Sequence, residues 1–88
     1  MQIPKSVVER CPALKDERIV ALINWAEKEL PARERMLTDI DITDTPPNHI
    51  VTIKYEQSGW MWNSSYRCRI FAKGEDYCFA QIDDPEKI

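Results

Sequence analysis

The amino-acid sequence predicts an α+β domain of two layers. A four-stranded antiparallel meander is covered on one face by one long amphipathic helix and a short N-terminal helix. Two patterns carry this prediction. Apolar residues recur at helical spacing over residues 16–30, whereas apolar and polar residues alternate with the period of two of a half-buried strand from residue 38 onward. A sheet with one apolar face must bury it, and the helical stripe is the partner that the sequence offers.

The composition is that of one ordinary globular domain. With 88 residues, 43% hydrophobic and 31% charged, the chain suffices for a single modest core. We therefore predict one domain over residues 1–88, with a helical part at about 4–37 and a β-meander at about 38–83. The net charge of −3 provides no overall attraction to nucleic acid or anionic lipid. No apolar run reaches membrane-spanning length, and three widely spaced cysteines argue against a disulfide framework, so we expect a cytoplasmic location.

Proline and aspartate indicate where the helices begin. Pro4 suits the first turn of a short helix over residues 4–11. Asp16 is the expected N-cap of the long helix over residues 16–30. A further short turn of helix is expected over residues 31–37.

The first two strands are predicted to pair through a loop at residues 45–48. One register sets apolar residues against apolar ones on one face and opposite charges against each other on the other. It pairs Asp44 with His49, Ile42 with Val51, Ile40 with Ile53, and Asp39 with Lys54. Because a one-residue slip would turn every side chain to the wrong face, this agreement supports the register.

The second hairpin is predicted to turn at Ser58 and Gly59, since glycine supplies the positive φ that such turns require. The resulting register pairs Gln57 with Trp60, Tyr55 with Trp62, and Val51 with Tyr66. Trp60 and Trp62 then fall on the core face, where large aromatic side chains usually cap a core.

The last hairpin, around Gly74 and Glu75, has two candidate registers. The preferred one pairs Ala72 with Cys78, Ile70 with Ala80, and Cys68 with Ile82. It leaves Tyr77 and Phe79 on the outer face of the sheet. A tighter turn would instead bring Tyr77 and Phe79 onto the core face.

The outer face of the predicted sheet combines aromatic and basic side chains, which is the composition of a recognition surface. We predict that a partner contacts it through Phe71, Tyr77, Phe79, Arg67, Arg69 and Lys54. In the alternative, the N-terminal segment or the tighter register buries the rings, and Arg67 forms a weak surface ion pair with Asp83.

The tryptophans allow a second kind of site. Trp25 lies off the main stripe of the long helix and is expected to pack beneath the N-terminal segment. If the aromatic residues gather at the open end of the two layers instead, they would line a pocket for a small ligand. That pocket would comprise Trp60, Trp62, Tyr55 and Trp25.

Signals for catalysis or metal binding are weak. His49 is the one histidine, the cysteines lack ligand spacing, and two glycines make no phosphate-binding loop. Alternate aspartates at Asp39, Asp41 and Asp44 could hold a hard cation, although such residues more often form the solvated side of an edge strand. We therefore expect no enzymatic activity, no metal and no cofactor.

The function that the sequence favours is protein–protein interaction through the outer sheet face, as a homodimer or as an adaptor or inhibitor of a larger protein. One alternative is binding of single-stranded nucleic acid on the same aromatic and basic face. Acidic residues on or near that face weigh against it. The other alternative is binding of a small ligand in the Trp-lined pocket.

Overall fold

The computed structural model describes residues 1–31, 33–45 and 47–88. Within them, the chain forms α1 (Lys5–Arg10), a 3-10 turn (Pro12–Lys15), α2 (Glu17–Glu29), β1 (Glu34–Thr45), β2 (Asn48–Gly59), β3 (Trp62–Lys73), β4 (Phe79–Ile82) and β5 (Glu86–Lys87). The strands form one antiparallel sheet in the order β1-β2-β3-β4, and β5 also pairs with β3. The predicted α+β fold and antiparallel meander are confirmed, with β5 as a short addition.

The long helix begins where its sequence predicts. The Arg18 backbone N–H donates to the Asp16 carboxylate at 2.9 Å, as expected of an N-cap residue. Hydrogen bonds from the Arg18 side chain and backbone lower the pKa of Asp16. The buried residues of α2 are Ile19, Leu22, Ile23 and Ala26, which are members of the predicted apolar stripe.

The core lies between α2 and one face of the three long strands. Each of the following sheet residues is at most 1% exposed: Leu37, Val51, Ile53, Tyr55, Cys68, Ile70 and Ala72. Burying an aliphatic or aromatic side chain of this size contributes about 1.5–3 kcal/mol, so this layer is the main source of stability.

Strand β1 begins at Glu34, so the helical turn expected over residues 31–37 is wrong for the residues of that segment that the structure describes; residue 32 lies outside them. Arg35 and Leu37 are buried while Glu34 and Met36 are exposed, because pairing with the far end of β2 places alternate side chains in the core. A β-bulge follows between Leu37 and Asp39.

Beyond the bulge, the register of β1 with β2 is the predicted one. The structure pairs Asp39 with Lys54, Ile40 with Ile53, Ile42 with Val51, and Asp44 with His49. The predicted loop over residues 45–48 includes residue 46, which lies outside the described residues.

The predicted register of β2 with β3 is wrong. The turn lies at Trp60 and Met61, so Gly59 pairs with Trp62 and Tyr55 pairs with Tyr66. Gly59 has another role: a Cβ there would lie 2.0 Å from Cε2 of the Trp62 indole, so only glycine allows the ring to pack against the backbone. The predicted faces of the strands are retained, because the register differs by an even number of residues.

The last hairpin also differs from the preferred register by two residues. Ala72 pairs with Ala80 and Ile70 pairs with Ile82, since the turn is longer than predicted. The chain reverses through positive φ values of 85° at Gly74 and 54° at Tyr77.

Candidate functional site

Among the described residues, no helix covers the face of the sheet opposite α2; we call it the open face. Two rows of side chains cross it. The first row consists of Asp39, Lys54, Arg67 and Glu86. The second row consists of Asp41, Thr52 and Arg69, and Arg69 is followed by Asp83. We refer to Lys54, Arg67 and Arg69 as the basic strip. The open face therefore has cations at its centre and carboxylates on both sides.

A depression of about 800 Å³ occupies the centre of the open face. All three residues of the basic strip line it, together with Asp39, Asp41 and Glu86. Concave surfaces with several convergent polar groups are the usual form of binding sites.

Within residues 1–31, 33–45 and 47–88, two of the three cations have no ionic partner. Among the described residues, no carboxylate oxygen lies within 4.0 Å of the Lys54 ammonium or the Arg67 guanidinium. The third cation, Arg69, has Nη2 at 3.3 Å from Oδ2 of Asp83. Thus Arg69, rather than Arg67, forms the ion pair with Asp83.

The local structure of β1 explains why Asp39 does not neutralise Lys54, although the two residues are paired across strands. Asp39 Oδ1 accepts a hydrogen bond from the Ile40 backbone N–H at 2.9 Å and another from the Cys11 thiol at 3.5 Å. These bonds, immediately after the bulge, hold the carboxylate toward Cys11 at the end of α1. Its charge is therefore not directed at the Lys54 ammonium.

The absence of pairing has an energetic consequence. Lys54 and Arg67 lie directly opposite each other on β2 and β3. Like charges in that arrangement destabilise a sheet by about 0.2–1 kcal/mol, reduced here by exposure to solvent and salt. An anion placed between the two side chains would remove this repulsion.

Aromatic side chains lie at one end of the open face. Phe71 pairs with Gln81 and is half-buried, whereas Phe79 pairs with Lys73 and is 72% exposed. The preferred sequence register placed the two rings directly opposite each other. The longer turn makes them diagonal neighbours, which are still within reach of aromatic side chains.

Tyr77, by contrast, lies on the helix side of the sheet. Its ring packs edge-on against His49, with the ring centroids 4.7 Å apart, and the Arg18 guanidinium lies 4.9 Å from its centroid. Tyr77 packs there because the left-handed conformation at this residue turns the chain before β4 begins. The structure therefore separates Tyr77 from the other predicted contact residues.

The four aromatic residues of the predicted small-ligand pocket lie in three places. Tyr55 is 1% exposed and stacks on Tyr66, with centroids 5.8 Å apart; desolvation by burial raises its pKa. Trp25 lines a groove between α2 and the residues around the start of β4. The expectation that Trp60 and Trp62 pack in the core is wrong, since they are 88% and 45% exposed.

The thiols differ in their surroundings. Cys68 is buried, and desolvation raises its pKa to about 11. Cys78 is exposed, and its hydrogen bond with the Asp76 carboxylate raises its pKa. In the described ranges, no group of three or more His, Cys, Asp or Glu side chains is arranged to hold a metal ion.

Two further features of the site region escaped the sequence reasoning. One is an ion pair between the buried Arg35 and the half-buried Glu27 of α2, in which Arg35 Nη1 lies 3.2 Å from Glu27 Oε1. The other is the exposed turn at the end of β2. An uncharged run over residues 57–66 is the signal that could have revealed this turn as a contact surface.

Comparisons of the chain with protein-family models, with curated proteins and with solved structures found no match. In the described part of the chain, every helix is too short or too polar to cross a membrane.

Proposed function

We propose that this domain binds a protein partner through the open face, and that the basic strip receives carboxylates of the partner. The observation that carries the proposal is the pair of cations at Lys54 and Arg67, which lie opposite each other in a depression and have no carboxylate within 4.0 Å among the described residues. A sheet that needed these cations only for solubility would gain by pairing them with its own acids.

The chemistry of the basic strip favours a carboxylate ligand. An arginine guanidinium can hold a carboxylate through two parallel hydrogen bonds, and a lysine ammonium adds a charge-assisted bond from the opposite strand. Binding would also remove the repulsion between Lys54 and Arg67. The depression of about 800 Å³ has room for several side chains of a partner.

The acidic margins specify the partner further. Asp41 lines one side of the depression and Glu86 lines the other. A binding segment with acidic residues at its centre and basic residues beside them would match this charge pattern, whereas a uniformly anionic strand would be repelled at both margins. Nucleic acid is such a strand, so a protein segment fits better.

Phe79 supplies an apolar contact at the end of the same face. Its ring is 72% exposed, and aromatic side chains commonly anchor protein interfaces. An acidic segment that ends in an apolar side chain would therefore use both the charge and the apolar area of this surface.

The experiment is an NMR titration of the isotope-labelled protein with the peptide Lys-Glu-Glu-Lys, which is acidic at its centre and basic at its ends. We expect the chemical-shift changes to be concentrated at residues of the basic strip. Binding should be at least about tenfold weaker in Lys54→Gln and in Arg67→Gln. Lys28→Gln is the matched control, because it removes the same charge from an exposed position on α2. Raising the salt concentration should weaken binding, since the contacts are ionic.

Three results would contradict the proposal. In one, the peptide does not bind at low salt. In another, Lys28→Gln weakens binding as much as the two strip variants do, which would indicate general attraction. In the third, oligothymidylate binds more tightly than the peptide, which would assign the face to nucleic acid.

A further inference from the structure

The turn between β2 and β3 presents three large apolar side chains to solvent; we call Trp60, Met61 and Trp62 the tip. Their exposed fractions are 88%, 86% and 45%. Tryptophan is usually largely buried in a folded chain. Two exposed indoles on either side of a methionine are typical of an interface anchor.

The residues around the tip have the composition of an interface core. The segment over residues 57–66 contains no charged residue, although 31% of the whole chain is charged. It consists of tryptophan, tyrosine and methionine with serine, asparagine, glutamine and glycine. Interface cores are depleted in charge and enriched in aromatic residues and methionine, and short polar residues supply adaptable hydrogen bonds around them.

The backbone conformation of the tip is unfavourable for stability. Met61 has φ of 64°, the left-handed region that favours glycine or asparagine in a tight turn. Strain of this kind clusters where a side chain serves a function. The Trp62 ring, packed on Gly59, is held in a defined position beside it.

A complementary surface exists on the same chain. A groove of about 460 Å³ lies between α2 and the residues leading into β4; we call it the Trp25 groove. Its apolar lining includes Ala21, Leu22, Trp25, Tyr77 and Phe79. Two charged residues lie in its wall: Arg18 is paired with Asp16 at 2.7 Å, and the Asp76 carboxylate accepts a hydrogen bond from the Cys78 backbone N–H at 3.3 Å.

The tip and the Trp25 groove lie at opposite ends of the molecule. Strand β3 runs from Trp62 beside the tip to Lys73 near the groove, and its 12 residues span about 40 Å. The longest dimension of the molecule is 42 Å. A tip therefore cannot reach the groove of its own chain.

We propose that the tip binds in the Trp25 groove of a second copy of this chain. Two copies arranged antiparallel about a twofold axis would each insert a tip into the groove of the other, which gives a closed dimer with two equivalent contacts. This inference does not depend on the proposed function, because both contacts leave the basic strip free; Phe79 is common to the groove and the end of the open face.

The area is sufficient for such a dimer. A tryptophan buries about 150–250 Å² in an interface, so each tip removes on the order of 400 Å² from solvent. Two tips and the partner surfaces that they cover, which are the grooves with the surface around them, together bury on the order of 1,600 Å², which is the standard size of a specific interface.

Sedimentation equilibrium of the full chain in reducing buffer tests the inference. We expect a dimer whose dissociation constant rises at least about 30-fold in Trp60→Ser, which removes the anchor, and in Ala21→Arg, which fills the groove. Both positions are exposed, so folding should be unchanged. Asn24→Arg is the matched control, because it adds the same charge at an exposed α2 residue that does not line the groove, and it should remain dimeric.

Cross-linking identifies the contact itself. Cys78 lines the groove and is exposed, so a thiol introduced by Met61→Cys should form a disulfide with Cys78 of the second copy when oxidised glutathione is added. Peptide mass spectrometry should find this pair, and Cys78→Ser should abolish it.

Any of three results would overturn the inference. The chain could remain monomeric up to about 1 mM; in that case, a blue shift of tryptophan emission on phosphatidylcholine vesicles would assign the tip to a lipid surface instead. The dimer could persist unchanged in Trp60→Ser or Ala21→Arg. The oxidised Met61→Cys chain could contain only disulfides that join two tips.

Discussion

Replacing Met61 with glycine tests whether the left-handed backbone conformation of the turn between β2 and β3 lowers the free energy of unfolding. An L-residue in the left-handed conformation is strained by about 1–2 kcal/mol, and Met61 has φ of 64°. Glycine relieves that strain but loses about 0.5–1 kcal/mol through its greater freedom in the unfolded chain. The side chain is 86% exposed, so little burial is lost. We expect a net stabilisation of about 0.5–1 kcal/mol.

For a domain of this size, that gain corresponds to a rise in Tm of about 2–8 °C. The assay is thermal and urea unfolding followed by circular dichroism, at a protein concentration low enough that only monomer is present, since dimerisation would add its own stabilisation. Trp60→Gly is the control, because Trp60 does not have a positive φ and glycine relieves nothing there. If Met61→Gly is no more stable than the wild type, the turn is not strained and this reasoning is wrong.

Three further predictions concern other parts of the molecule. At pH 8, thiol-specific labelling should modify Cys78 long before Cys68, since a pKa of about 11 leaves about one Cys68 thiol in a thousand ionised; equal rates by mass spectrometry would refute this. Arg35→Met should lower the free energy of unfolding in urea by about 2–3 kcal/mol because it leaves the half-buried Glu27 carboxylate without the guanidinium, and adding Glu27→Gln should recover part of the loss. Phe79→Glu should change stability by less than about 0.5 kcal/mol, because the ring is 72% exposed; an unfolded variant would mean that Phe79 belongs to the core.

The sequence pattern predicted the faces of the strands better than it predicted their turns. For the first hairpin, the loop at residues 45–48 and the opposite charges of Asp39 and Lys54 fixed the register among those that the alternation of apolar residues allows. For the second hairpin, any even shift keeps the same residues in the core, so alternation cannot select among registers. The turn chemistry had to decide, and Gly59 was misleading, since it is required by the Trp62 ring rather than by a positive φ.

The exposure of the tryptophans depends on how far the strands extend beyond the end of α2. The alternation of residues along one strand does not contain this information. Helix α2 has 13 residues and is about 20 Å long, whereas β2 has 12 residues and spans about 40 Å. The helix reaches the level of Tyr55, as the contact of Glu27 with Arg35 shows. Trp62 has the parity of the core face but lies past the end of the helix, so nothing there buries it fully.

Only part of the candidate site was predicted, because the sequence pattern shows which residues share a strand face but not which distant residues contact each other. Strand parity placed the three residues of the basic strip on one face, and the structure brings them together in the depression. It could not place Tyr77, whose position depends on the left-handed backbone before β4. Nor could it show that Asp39 is held by Cys11 and forms no ion pair with Lys54, because the contact with Cys11 joins residues 28 positions apart.

The measurement that tests the central claim most directly is the titration of the labelled protein with the peptide Lys-Glu-Glu-Lys at low and high salt. If the open face binds carboxylates, the chemical shifts of Lys54 and Arg67 should change saturably as the peptide is added. These changes should be lost in the glutamine variants of the two residues and retained in Lys28→Gln. Shifts spread evenly over all exposed cations, or no shifts at low salt, would contradict it.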